Sequence, residues 1–154
     1  MPSPIPTIII RHKKENLKKC SLRGLEQRDD CIFYTYPLKV ALPSLESTLV
    51  LALDAEPLTA ADAGKSLLLI DATWRFSEKM LKNLPPPFLK RSLPPFFRTA
   101  YPRKQTDCID PDRGLASIEA LFLAYTILGR DTRGLLDNYH WKEQFLMIND
   151  AKNP

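Results

Sequence analysis

The residues of this chain with the clearest chemical potential are Asp71 and Trp74, which follow a run of four large aliphatic residues, Leu67–Ile70. Such a run predicts a buried strand, and a helix-like pattern begins directly after it. In open α/β sheets, ligands bind beyond the carboxyl ends of strands, at the turn into the next helix. A carboxylate there could hold an amine, and an indole face could attract a cation. The structural alternative is that Asp71 caps the helix and Trp74 belongs to the core.

Small polar residues also stand where two other helical patterns begin. Ser21 precedes a weak helical turn, and Ser117 lies near the start of a stronger helical pattern that Gly114 opens. Helix starts present backbone N–H groups and the positive end of the helix dipole, which suit a carboxylate. Together with Asp71 and Trp74, these residues suit a ligand that carries a carboxylate, an amine and a positive centre. Glu119, in the same stretch as Ser117, has an open alternative as the salt-bridge partner of a lysine.

Common catalytic signatures are missing from the sequence. It has no G-x-G-x-x-G, P-loop or G-x-S-x-G motif, and its five glycines disfavour a phosphate-cradling loop. His12 and His140 are the two histidines, and their separate contexts argue against a histidine metal site and a Ser-His-Asp triad. The three cysteines lack a close metal spacing and indicate reduced thiols. We therefore expect no metal.

Length and composition indicate one globular domain. The 154 residues, 44% hydrophobic and 26% charged, can form one core but are too few for two ordinary domains. No apolar run approaches the ~20 residues that a membrane span needs. No secretory signal is visible at the start of the chain. We therefore expect a single cytoplasmic domain over residues 1–154, with no membrane partner.

Basic residues are clustered along the chain. The net charge is +4, and the stretch from Lys79 to Lys104 holds seven Lys or Arg residues and no acid. A second cluster, from Arg11 to Lys19, contains Glu15 as its single acid. Patches of one sign favour a polyanionic partner. The alternative is two solvated faces.

The elements that must position these residues alternate between strand and helix patterns. The segment 84–95, with five prolines, is predicted to be extended and without regular structure, and the tail from Asn149 is predicted to fray. Near-continuous apolar strands that alternate with helices favour an α/β fold, with a mostly parallel sheet and helices on both faces. Strands are predicted at 7–12, 31–36, 47–54, 67–71 and 96–101, and helices at 59–63, 74–83, 114–129 and from Thr132 onward.

Three short stretches resemble the motifs of a known family. Ile70–Trp74 is similar to the D-x-[ST]-W signature of the 18S rRNA aminocarboxypropyltransferase family of ribosome biogenesis, whose DTW-domain relatives modify tRNA. Leu115–Leu121 resembles the second signature, L-[SN]-[TC]-x-E-A-L. Lys18–Leu22 resembles the K-K-C-[ST] stretch near the N-terminus of the rRNA enzymes, and the cysteine cluster of the tRNA relatives is not matched. The resemblance therefore favours the rRNA branch.

The resemblance implies a fold, a cofactor and a reaction. The fold is SPOUT-like with a C-terminal trefoil knot, in which residues 1–46 form the substrate side and residues 47–150 the cofactor-binding, knotted part. The implied enzyme is a monomer that uses S-adenosyl-L-methionine and transfers its 3-amino-3-carboxypropyl group to a pyrimidine of ribosomal RNA. Open alternatives are a tRNA uridine transferase of the DTW type, a SPOUT RNA methyltransferase and a non-catalytic ribosome-assembly factor.

The resemblance also assigns roles to single residues. Ser21 and Ser117 match the residues that hold the methionine carboxylate of the cofactor. Ile70 matches a main-chain contact to the ribose, and Asp71 and Trp74 match the acid and the aromatic residue beside the methionine. Asp71 is the catalytic candidate, either as the acceptor of the nitrogen's proton or as the holder of the ligand's amine. Trp74 is expected to shield the methyl group.

The residues that contact RNA and adenine lie in stretches where this chain departs from the family motifs. Leu53, Asp54 and Pro57 are the residues nearest to the expected adenine pocket. The rRNA enzymes carry an N-Y-G segment where this chain has Ala100–Lys104, so the RNA contacts there differ. Six basic residues are expected to contact RNA: Lys13, Lys14, Lys90, Arg91, Arg103 and Lys104.

Overall fold

The strands of this chain form one parallel sheet. The computed structural model describes residues 5–14, 22, 24–52, 55–72, 74–94, 97–100 and 116–149, with the backbone alone at Trp74 and Arg75. Within these residues it has strands β1 (Thr7–His12), β2 (Cys31–Tyr36), β3 (Thr48–Leu51), β4 (Ser66–Asp71) and β5 (Leu89–Arg91). The α-helices of the same part of the chain are α1 (Trp74–Lys82), α2 (Ser117–Leu128) and α3 (Lys142–Asn149).

The parallel direction of the strands places all of their carboxyl ends at one edge of the sheet. The order is β2-β1-β4-β3-β5, and every neighbouring pair is parallel. The carboxyl ends of all five strands therefore lie at the same edge, which we call the carboxyl edge. β1 pairs with β4 so that Arg11 lies opposite Asp71. The predicted α/β fold with a parallel sheet is confirmed, whereas the SPOUT assignment, the knot and the division at residue 46 stay predictions.

Two hydrophobic cores lie on the two faces of the sheet, because successive side chains of a strand point to opposite faces. Ile9 and Leu69 pack in a cluster with residues of α2 and α3, which we call the α2-side core. Ile8 and Leu68 pack with Met80 of α1 in a second cluster, the α1-side core. Helices therefore cover both faces, as the sequence predicted.

One strand lies where the sequence predicted no regular structure. β5 falls inside the proline-rich segment 84–95, and its residues pair with Leu49–Leu51 of β3. The prolines flank these three residues, so the backbone N–H groups of the strand itself remain available for pairing. The prediction for this segment was wrong because the pairing partner is distant in sequence.

The segment 97–100, predicted as part of a fifth strand over 96–101, has no regular secondary structure. The N–H of Arg98 donates to Asn149 Oδ1 at 2.9 Å, and Asn149 Nδ2 donates back to the carbonyl of Arg98 at 2.9 Å. Side chains therefore bind this backbone in place of a neighbouring strand. Asn149 is 3% exposed, so the prediction that the chain frays from this residue was wrong at its first position.

Other boundaries moved by a few residues. β3 ends at Leu51 instead of at Asp54, and Leu53 and Asp54 lie outside the described residues. The predicted helix over 59–63 is a short 3-10 helix, Ala60–Asp62, which Thr59 caps. The last helix begins at Lys142, because residues 133–138 form turns in which Gly134 has a left-handed φ of 81°.

Glu119 connects α2 to two segments without regular structure. Its side chain is fully buried and accepts hydrogen bonds from Ala116 N (2.7 Å), Thr99 Oγ1 (2.6 Å), Ala100 N (2.8 Å) and Tyr139 Oη (2.9 Å). The described partners are thus neutral donors instead of the lysine considered from the sequence. Four donors on one carboxylate hold the start of α2 against the segment 97–100 and the turn before α3.

Replacing Glu119 with Gln should destabilise the protein by about 1–3 kcal/mol, because an amide NH₂ would face donors that need an acceptor. The free energy of unfolding in urea measures this. Glu46→Gln, at an exposed loop position, is the matched control and should leave the unfolding midpoint unchanged. Equal midpoints for the two variants would contradict the role of Glu119.

Candidate active site

Asp71 forms a junction at the carboxyl edge. It is the last residue of β4 and is 4% exposed. Its Oδ2 accepts a hydrogen bond from Arg11 Nε at 3.2 Å, and its Oδ1 accepts one from Ser117 Oγ at 2.8 Å. Both carboxylate oxygens are therefore engaged, one by the neighbouring strand β1 and one by the first residue of α2. These contacts go beyond the capping role considered as an alternative for Asp71.

Arg11 is a buried part of this junction and not a surface cation. The sequence placed it in a basic cluster expected to track RNA, but it is 9% exposed and its guanidinium faces two acids. Arg11 Nη1 lies 3.2 Å from Glu26 Oε2, in addition to the contact with Asp71. Its Cζ lies 4.8 Å from the ring centre of Phe33. Sequence reasoning missed this role because the pairing depends on strand register over 60 positions.

Glu26 extends the junction to the turn that follows Ser21. Its Oε1 accepts a hydrogen bond from Gly24 N at 2.9 Å. Burial by itself would raise the pKa of Glu26, but hydrogen bonds from its own backbone, Gly24 and Arg11 outweigh it and hold the pKa below its ordinary value. Gly24 has a left-handed φ of 95°, a conformation that glycine adopts without strain. The turn is therefore fixed relative to Asp71 through Arg11.

The other predicted cofactor residues are placed in part. Ser21 lies outside the described residues. Trp74 is the first residue of α1, three positions after Asp71, and its backbone is the part described. Ile70 lies in β4 opposite Ile10. Ser117 and Asp71 are the predicted cofactor residues that the structure brings into direct contact.

The pairing of β3 with β4 ends before the carboxyl end of β4. Their pairing reaches Val50 and Leu68, while the pairing of β1 with β4 continues to Asp71. Beyond that point β3 stays with β5, since Ala52 N donates to the carbonyl of Arg91 at 2.9 Å. Ile70 of β4 thus lies beyond the residues that pair with β3.

The four predicted RNA-binding residues that the structure describes lie on both sides of Asp71. Lys13 and Lys14 are exposed and follow β1, while Lys90 is exposed on β5. Arg91 is less available, because its Nε lies 3.3 Å from Asp62 Oδ2. Arg103 and Lys104 lie outside the described residues. With a strand spacing of about 4.8 Å, β1 and β5 lie about 14 Å apart across β4 and β3.

His12, the last residue of β1, is buried beside these lysines. Burial lowers the pKa of its imidazole, and the positive charges of Lys14 and Lys13 lower it further. The neutral ring is therefore favoured near pH 7. From the sequence, His12 was assigned no role beyond membership of a basic cluster.

Fold and site together define an α/β protein with a polar junction where the parallel strands end. Among the described residues, no helix is long and apolar enough to cross a membrane, and no group of three His, Cys, Asp or Glu residues could hold a metal. Comparisons with protein-family models and with curated protein sequences gave no match.

Among solved structures, the chain is similar to the SAM-dependent rRNA:acp-transferase Tsr3 from Vulcanisaeta distributa. The TM-score is 0.72 at 23% sequence identity, and the match covers 97% of this chain and 81% of that chain. At this identity the likeness establishes the fold that the two proteins share.

The Arg11–Asp71 pair can be tested by its contribution to stability. Arg11→Met should destabilise the protein by about 3–5 kcal/mol, because it leaves a buried carboxylate without its cation. The control is Arg133→Met, since Arg133 pairs with Asp131 at the surface with side chains 91% and 57% exposed. It should leave the unfolding midpoint nearly unchanged, because a solvent-exposed ion pair contributes little to stability. Urea unfolding that shows equal losses for the two variants would refute the structural importance of the buried pair.

Proposed function

We propose that this protein is an S-adenosyl-L-methionine-dependent aminocarboxypropyltransferase that modifies a pyrimidine of ribosomal RNA. The observation that carries the proposal is the hydrogen bond between Ser117 and Asp71, which joins the two family-like signatures across 46 positions. The shared fold with a protein described as an rRNA:acp-transferase supports the same reading. The basic residues on both sides of Asp71 suit the phosphates of an RNA strand.

The residues at the carboxyl edge fit the amino-acid end of the cofactor. α1 and α2 both begin here, and helix starts suit a carboxylate. We assign this contact to Ser117 and to Ser21. The end of the β3–β4 pairing before Ile70 supports a ribose contact by the main chain of Ile70. The fit therefore rests on two helix starts, the end of β4 and the carboxylate of Asp71.

S-adenosyl-L-methionine, when bound, would supply an activated aminocarboxypropyl group beside a positive sulfur. The task of the protein is then mainly to orient the two reactants, a contribution worth about 7–11 kcal/mol in well-oriented reactions. Trp74 is assigned to the methyl side, where an indole face both attracts the cation and shields the methyl carbon. Exclusion of that carbon decides which group is transferred.

We assign Asp71 the role of an anchor for the ligand's amine. Its two oxygens already accept hydrogen bonds from Arg11 and Ser117. A carboxylate held in this way remains a good partner for an ammonium group. It is a poorer acceptor for the proton of an attacking base, the other role considered for it.

Asp71→Asn separates these two roles. If Asp71 anchors the amine, the variant should lose affinity for S-adenosyl-L-methionine, which calorimetry measures. A general base predicts turnover lower by about 10²–10⁴ with affinity nearly intact. We expect the loss of affinity, and a variant with wild-type affinity and turnover would remove both roles. The control is Asp29→Asn, an exposed carboxylate in the turn before β2.

The RNA side of the proposal predicts a change in salt dependence. Lys90→Ala combined with Arg91→Ala should reduce the slope of log affinity against log salt by about 0.7–1.4 for single-stranded RNA, which corresponds to one or two phosphate contacts. A loss nearer to one contact is expected, because Arg91 is paired with Asp62. The control is Lys142→Ala, because Lys142, the first residue of α3, lies near the carboxylate of Asp137. An unchanged slope would place the RNA elsewhere.

Nucleoside mass spectrometry of ribosomal and transfer RNA from cells that lack this protein tests the reaction itself. Loss of an aminocarboxypropylated pyrimidine from ribosomal RNA is the expected result. Its loss from transfer RNA would establish the tRNA alternative. Loss of a methyl group would establish a methyltransferase, and unchanged RNA would favour an assembly factor without catalysis.

A further inference from the structure

The ring of His12 is held in an aromatic stack. It lies 4.1 Å from the ring of Phe76 of α1, centroid to centroid, with an interplanar angle of 14°. The ring of Tyr36, at the end of β2, lies 5.8 Å away at 30°. Phe76 and Tyr36 both pack against the α1-side core, and the hydroxyl of Tyr36 accepts a hydrogen bond from Asn83 Nδ2 at 2.8 Å. The imidazole therefore has a fixed orientation.

This orientation places one ring nitrogen on the turn that carries two lysines. His12 Nδ1 accepts a hydrogen bond from the backbone N–H of Lys14 at 3.1 Å. The N–H of Lys13 donates to the carbonyl of Tyr36 at 3.0 Å. Lys14 Nζ lies 5.5 Å from the ring centre of Phe76. The two hydrogen bonds thus fix the backbone of residues 13 and 14, which are both exposed, and the cation–π contact holds the ammonium group of Lys14 near Phe76.

We propose that His12 is a positioning residue for RNA, because its Nδ1 holds the turn of Lys13 and Lys14, which directly follows Arg11 and the end of β1. The inference rests on the proposed function. It assigns Lys13 and Lys14 as phosphate contacts whose backbone is already ordered before the RNA strand binds. Preorganisation matters here because flexible lysines lose side-chain freedom when they bind. Arg11 and His12 are consecutive, so the same strand end fixes both the cofactor side and the RNA side.

A purely structural role for His12 is the competing explanation, in which the ring simply closes the end of β1. The two explanations differ in the importance of Nδ1. His12→Phe preserves an aromatic ring for the stack but removes the acceptor. His12→Asn removes the ring but keeps an acceptor, since its Oδ1 stands where Nδ1 of histidine stands. Positioning requires the acceptor, whereas packing requires the ring.

The test measures binding of the full chain to a fluorescein-labelled single-stranded RNA of mixed sequence over a range of KCl concentrations. His12→Phe should raise the Kd for this RNA by about 3- to 10-fold. Its log–log salt slope should fall by up to about 1.4, as expected for two loosened phosphate contacts. His12→Asn should bind close to wild type. Affinity for S-adenosyl-L-methionine, measured by calorimetry, should be the same in all three proteins.

A double-mutant cycle completes the test. In a chain with Lys13→Ala and Lys14→Ala, His12→Phe should have no further effect on RNA binding, because the groups it positions are gone. His140→Phe, at an exposed histidine 4.6 Å from the ring of Trp141, is the control and should not change binding. Additive effects in the cycle would overturn the inference, as would wild-type RNA binding by His12→Phe. If the wild-type chain itself does not bind the RNA, the RNA part of the proposed function fails together with the inference.

Discussion

The buried ion pair between Arg11 and Asp71 is the constraint on which the candidate site depends. Each charge has left water, so each is stable there because the other lies 3.2 Å away. Through this pair β1 is bound to β4 at their carboxyl ends. Ser117 adds the start of α2, and Glu26 adds the turn after Ser21. Four segments that are distant in sequence therefore keep one arrangement, so little of it must be ordered when a ligand binds.

A second polar network fixes the other end of α2. Tyr125, eight positions after Ser117 and about 12 Å along the helix, bonds through its hydroxyl to Thr7 Oγ1 at 2.7 Å and to Asp30 Oδ2 at 3.0 Å. Burial raises the pKa of Tyr125, so the phenol stays protonated. Burial would also raise the pKa of Asp30, but hydrogen bonds from Arg28 and Tyr125 hold it below its ordinary value. Because α2 is bound at the amino ends of β1 and β2 as well, Ser117 cannot swing away from Asp71 without breaking both networks.

Local sequence patterns were sufficient to predict much of the fold. β1 and β2 run over the predicted residues, since their β-branched and aromatic side chains favour strands without help from distant groups. α2 ends at Gly129, whose left-handed φ of 73° is a common helix terminator. β5 was missed because its pairing with β3 comes from 40 positions earlier in the chain, while proline density is a local signal.

Polar residues show the same division between local and distant causes. The sequence identified Asp71 and Ser117 as candidates, because a strand end and a helix start are local features. Their contact, and the partnership of Asp71 with Arg11, needed the order and register of the sheet. Glu119 is similar, since its donors come from the segment 97–100 and from Tyr139, which no helical period brings together. From sequence alone, a buried charged residue cannot be distinguished from a surface one, because its partner is identified only in the fold.

The order of the strands supports the proposed binding site beside Asp71. After β1 the chain passes over the α2-side core, where Leu22 and Leu25 are buried. After β4 it passes over the opposite face, where Met80 of α1 packs in the α1-side core. The two connections leave adjacent strands in opposite directions, the arrangement in which open α/β sheets bind ligands beyond the carboxyl ends of their strands. The Arg11–Asp71 pair lies at that position, which is therefore charged, buried and already hydrogen-bonded. In the proposed function, this position suits a ligand that brings both an ammonium and a carboxylate, because the fold has already buried the charged groups that would contact them.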